Sequence, residues 1–101
     1  MTMDGTAHTA ITCTLMRDAG SPIACETIDL GTTGMRLTTG RPLAVDEMFR
    51  FELPLGEARV HGRARVVGQE RPDVYVLRFG RLTAPMTQCL QDLVAQYASR
   101  H

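Results

Sequence analysis

The residue types best suited to binding chemistry are gathered in residues 26–37, where Asp29, Gly31, Gly34 and Arg36 surround a break between two strand-like runs. A carboxylate at such a break can accept hydrogen bonds from nearby backbone amides. Glycines free to take positive φ let the chain reverse and let another group approach the backbone closely. Arg36 adds a planar guanidinium that can hold an anion bidentately. A second cluster lies in one later run, where Arg59, His61, Arg63 and Arg65 are set against Val60, Ala64 and Val66. Alternation puts all four polar side chains on one face of a strand. That face is either simply solvated or a docking surface for an acidic partner or for phosphates. Glu52 and Glu57, on or near the neighbouring strand, are expected to neutralise part of it through cross-strand pairs.

Catalysis has little to stand on. His8, His61 and His101 are far apart, and none has a Cys, Asp or Glu at metal-ligand spacing. Ser21 and Ser99 lack the surroundings of a nucleophile elbow, and Asp46 with Glu47 is an adjacent carboxylate pair on a loop. Neither an enzyme nor a metal site is expected.

With 101 residues, 44% of them hydrophobic, the chain can bury one core and not two. Its 11 basic residues, all arginine, balance 11 acidic ones, so no overall field draws in a polyanion. Three Phe and two Tyr leave few rings for base stacking, and nucleic acid is not an expected partner. Cys13, Cys25 and Cys89 show no Cys-x-x-Cys spacing and read as reduced core residues. Residues 1–10 are polar and small, and no apolar run approaches the roughly 18 residues of a membrane span, so the expected location is cytoplasmic.

Periodicity places the elements around these clusters. Residues 1–10 form a flexible arm without pattern, and residues 11–98 form the domain. Ile11, Cys13 and Leu15 alternate with polar positions, Asp18 to Pro22 turn the chain, and a return strand runs from Ile23 to Leu30. After the Asp29 turn a short strand covers Met35 to Thr38. Phe49, Phe51 and Leu53 mark the next, with Pro54 at its end or on an edge. A long strand follows from Ala58 to Gln69, and residues 70–73 form a turn. The nearly continuous apolar run 74–79 reads as buried on both sides. Met86, Cys89, Leu90, Leu93, Val94 and Tyr97 then recur at helical spacing behind Thr83 as cap and Pro85 in the first turn. Six strands and one C-terminal α-helix are best satisfied by a mainly β fold, a six-stranded split β-barrel closed by the helix.

The order of these parts resembles the PilZ domain family from Ile11 to Tyr97. The carriers are the Asp29 turn, the strand ending in Leu53-Pro54, the Gly-x-Ala-x-Val-Val core of the long strand, the ending Arg78-Phe79 and the terminal helix. The family's second signature is Asp/Asn-x-Ser-x-x-Gly; Asp29 and Gly34 match it, and Gly31 stands where the family has Ser. Its first signature, Arg-x-x-x-Arg, should fall within residues 1–10, where only His8 offers a weak substitute. The resemblance implies a bacterial module of cyclic di-GMP signalling. In the family the paired arginines clamp guanine and phosphates while the Asp turn closes on the other side. Losing two charge-assisted contacts of roughly 1.5–3 kcal/mol each weakens binding by about two to four decades. Two outcomes stay open. One is a protein-interaction adaptor in pilus, flagellar or exopolysaccharide control, in which the Asp29 turn is structural and the helix stripe is available for a homodimer. The other is a genuine cyclic di-GMP receptor with a non-standard arginine set, drawing on Arg17, Arg36 or the stripe.

Overall fold

Two-residue alternation turns into strands wherever one face of the chain can be buried. The computed structural model describes residues 6–98. In chain order the elements are β1 (Thr6–His8), β2 (Thr12–Met16), β3 (Ile23–Gly31), β4 (Gly34–Thr38), β5 (Met48–Leu55), β6 (Ala58–Arg71), β7 (Val74–Phe79) and α1 (Ala84–Ala98). Every pairing is antiparallel, and the neighbours run β3-β2-β5-β6-β7-β4 and back to β3, closing a six-strand barrel. Closure removes the exposed edges that a sheet this small would otherwise present.

The barrel interior is filled from every strand. Cys13 and Leu15, Ile23 and Cys25, Met35 and Leu37, Phe49, Phe51 and Leu53, Val60, Ala64 and Val66, and Tyr75 and Leu77 are all buried. Phe51 and Phe79 stack with ring centroids 4.9 Å apart. Each large apolar side chain so buried contributes about 1.5–3 kcal/mol. Pro54 lies within β5, opposite Arg59, but β2 pairs with β5 only as far as Glu52, so the missing N–H faces no ladder. The helix begins behind Thr83, whose hydroxyl accepts from the Met86 amide at 3.4 Å. Its apolar stripe is largely spent on the barrel: Leu90 is fully buried, and Met86, Cys89 and Leu93 pack against the core.

Four expectations change. Residues 1–10 are not all loose, because Thr6–His8 pair with Gly31 to Asp29 along the same edge of β3 that β2 uses further on. Residues 1–5 lie outside the described residues, as does the side chain of Tyr97. The run 74–79 is buried on both sides only at its start: Tyr75, Leu77 and Phe79 point in, and of the alternate positions Val74 is buried, Val76 half-buried and Arg78 exposed. Strand β6 continues to Arg71 through register shifts at Val66/Gly68 and Gln69/Arg71, so the turn expected at 70–73 is shorter. Bulges of this kind bend and twist a strand, which a 14-residue strand needs in order to follow a narrow barrel. Lastly, Glu52 lies opposite His61, yet neither it nor Glu57 forms an ion pair among the described residues.

A clasp ties the end of β2 to the connection before β5. The Arg17 guanidinium donates to Glu47 at 2.6 Å and 3.3 Å and lies 5.2 Å from the Phe49 ring centroid, while Glu47 also accepts from the Ala44 amide at 3.1 Å. The hydrogen bond from Arg17 holds the Glu47 carboxyl below its usual range, against the opposing effect of burial. A carboxyl whose folded pKa is depressed stabilises the fold above its unfolded pKa and loses that contribution as pH falls through the folded value. Glu47→Gln is therefore expected to flatten the acid limb of a stability-versus-pH curve and to lower stability at neutral pH, as read by urea denaturation across pH 3–7, an interval chosen to span ordinary carboxylate titration at about 4.

Candidate functional site

The bulge in β3 decides where Asp29 points. Ile23, Cys25 and Thr27 face inward, and an unbroken alternation would send Asp29 inward as well. The register shifts between Thr27 and Asp29, so the alternation inverts: Leu30 enters the core and Asp29 turns to the outer face. There it stands directly across from Arg36 of β4. The two form an ion pair, and Arg36 also donates to Glu70 at 3.1 Å. The hydrogen bond to Glu70, with the field of Asp29, raises the Arg36 pKa and keeps it charged. Asp29, Arg36 and Glu70 together carry one net negative charge, with the guanidinium held between two carboxylates.

The β3–β4 hairpin thus brings Asp29, Gly31, Gly34 and Arg36 together, as their spacing suggests. Of the two reasons expected for its glycines, positive φ applies at neither, and close backbone approach applies at Gly34. Positive φ occurs at Gly20, Gly56 and Asp46, not at Gly31 or Gly34. At Gly34 the constraint is room: a Cβ there would sit 2.3 Å from the Leu77 carbonyl oxygen. The hairpin is pressed onto β7, where the Phe79 amide donates to the Thr33 carbonyl at 2.8 Å. Beside the turn lies an open depression of ≈ 340 Å³, lined by Thr32, Thr33, Arg78, Phe79 and Gly80, with neither Asp29 nor Arg36 in its wall.

Arg59, His61, Arg63 and Arg65 are all exposed on the outer face of β6. Sequence reading missed what stands beside them. Arg50 of β5 is directly opposite Arg63, and Arg78 of β7 is directly opposite Arg65. All four are exposed, and none forms an ion pair among the described residues. Like charges directly across a ladder destabilise it by a few tenths of a kcal/mol up to about 1 kcal/mol. Arg63→Glu is accordingly expected to stabilise the protein by about 0.5–1 kcal/mol, a gain of a few degrees in Tm that shrinks in high salt. A calorimetric scan in low and high salt measures it. Glu70 was missed too, hidden in a segment that reads as a turn. Among the described residues, no group of three or more His, Cys, Asp or Glu could hold a metal, and no helix is long and apolar enough to cross a membrane.

A closed six-strand barrel with a terminal helix and an Asp hairpin on its outer face defines a small class of β-barrel domains. The PilZ domain model matches residues 7–96, and the chain belongs to the PilZ domain family. Two solved structures are similar in fold. The Bacillus subtilis inhibitor of motility MotI/DgrA superposes with a TM-score of 0.79 at 14% identity, over 96% of this chain and 52% of that one. The PilZ domain of YcgR from Escherichia coli, solved with c-di-GMP, superposes with a TM-score of 0.74 at 15% identity, over 92% and 88%. The chain thus spans about half the length of MotI. No curated protein matches the sequence.

Proposed function

We propose that this chain is a regulatory module of cyclic di-GMP-linked signalling that acts by contacting another protein and binds the dinucleotide weakly or not at all. The observation that carries the reading is the state of the signature turn. Asp29 is held by Arg36, Arg36 is shared with Glu70, and residues 1–10 contain no arginine to take up the clamp. An incoming dinucleotide carries two negative charges and would have to part this pairing while facing its net negative charge. The similarity to MotI, an inhibitor of motility, supports a partner in flagellar control, with pilus and exopolysaccharide machinery as related choices.

A second reading, a receptor with a non-standard arginine set, draws support from Arg78, which lines the depression beside the hairpin. Isothermal titration with cyclic di-GMP separates the two. The wild-type chain is expected to give no saturable heat in the low-micromolar range. Saturable heat there, lost in Asp29→Ala or Arg78→Ala, would favour the receptor.

A further inference from the structure

We propose that the outer face of β5, β6 and β7 is the docking surface for an acidic, amphipathic segment of the partner protein. This rests on the adaptor reading above and gives its surface and the chemistry of what it takes. Arg50 faces Arg63 and Arg65 faces Arg78 across adjacent ladders, which gathers four guanidinium groups of a chain with no net charge onto one side of a barrel. Arg17 is paired with Glu47, and Arg36 with Asp29 and Glu70, while other exposed arginines such as Arg41, Arg71 and Arg81 have no ion pair among the described residues but also no arginine directly opposite them in a ladder. Here the protein sets like charges directly opposite one another, an arrangement that a purely solvated face has no reason to keep and that carboxylates from outside would relieve.

The second observation gives the partner its apolar half. Among the described residues three large apolar side chains stand out as exposed, Val45, Met48 and Val67, at 52%, 47% and 45%. Met48 is directly opposite Arg65, and Val67 is two residues further along the same strand as Arg65, on the same outer face by alternation and next to the register shift at Val66/Gly68. Apolar side chains rimmed by arginine match the make-up of protein interfaces, where arginine is enriched and the centre is apolar. A nucleic acid or a lipid headgroup would use the guanidinium groups but leave Met48 and Val67 without a partner. A peptide segment carrying carboxylates beside large apolar residues satisfies both.

The test uses the full chain, immobilised, against a displayed library of random peptides of about 16 residues, a length that spans about 24 Å as a helix. No nucleotide is present. Clones are counter-selected on an Arg63→Glu/Arg65→Glu variant, which pairs each new carboxylate with Arg50 or Arg78 and so should fold at least as well as the wild type. Arg41→Glu, an exposed arginine off this face, serves as control. The expected result is enrichment of clones that combine Asp or Glu with large apolar residues. Their affinity should fall about tenfold or more in the double variant and in Met48→Ser, and stay unchanged in Arg41→Glu. Clones without acidic enrichment, clones indifferent to the double variant, or tighter binding of phosphatidylglycerol vesicles or of a single-stranded oligonucleotide than of any selected peptide would overturn the proposal. Such failure leaves the adaptor reading standing, since that reading is judged by nucleotide titration.

Discussion

Gly34→Ala is expected to cost about 3 kcal/mol, and Gly34→Val at least as much, lowering Tm by roughly 15 °C in a domain of this size. The added Cβ would meet the Leu77 carbonyl oxygen at 2.3 Å, with the Arg78 Cα 3.3 Å away. Both are backbone atoms of β7, the strand that pairs with β4 at this point, so no side chain can swing aside. Relief requires separating β4 from β7, and that opens the barrel where the Thr33 carbonyl is held by the Phe79 amide. The steric cause can be told from a conformational one. If Gly34 were needed for positive φ, asparagine would be tolerated far better than alanine. Because the obstacle is the Cβ itself, Gly34→Asn should be as damaging as Gly34→Ala. Thermal scans of the three variants decide it, and a Tm within a degree or two of wild type for Ala would contradict the close approach.

The largest functional effect is expected from restoring the absent arginines. Asp4→Arg with His8→Arg recreates the Arg-x-x-x-Arg spacing, and position 8 pairs directly across from Asp29 in the β1–β3 register. Two charge-assisted contacts of roughly 1.5–3 kcal/mol each correspond to about two to four decades in affinity. The double variant should therefore bind cyclic di-GMP in calorimetric titration where the wild type does not. His8→Arg alone should recover part of the gain. A double variant as silent as the wild type would show that the Asp29–Arg36–Glu70 pairing, and not the lost clamp, is what closes the site.

Much of the fold is legible in the sequence because its signal is periodic. Phe49, Phe51 and Leu53 can alternate with Arg50 and Glu52 only on a strand with one dry face, and the helical spacing after Gly80 admits little else. The grouping of Asp29, Gly31, Gly34 and Arg36 is legible for a similar reason, being local to one hairpin. What escapes is whatever depends on pairing between distant segments. Thr6–His8 has no apolar alternation; its strand exists because β3 extends past the end of β2 and offers backbone partners. The bulge at Ile28 changes the facing of Asp29 and Leu30, the two register shifts late in β6 do the same over a shorter stretch, and no single residue type announces a bulge. The role of Gly34 depends on where β7 lies. Arg50 and Arg78 join the basic face only through register, so one strand read alone shows half the patch. Glu70 reaches Arg36 across 34 positions of sequence, from a segment whose Pro72 and Asp73 suggest a turn.

The state of the signature hairpin is most directly tested by a nitrogen-15 correlation spectrum of the full chain titrated with cyclic di-GMP, following the amides of Thr32, Thr33, Gly34, Met35 and Arg36. With Asp29 held by Arg36 and the clamp absent, these resonances should stay in place at about 100 µM ligand. Saturating shifts of the same amides with a low-micromolar midpoint would contradict the adaptor reading and make the chain a receptor.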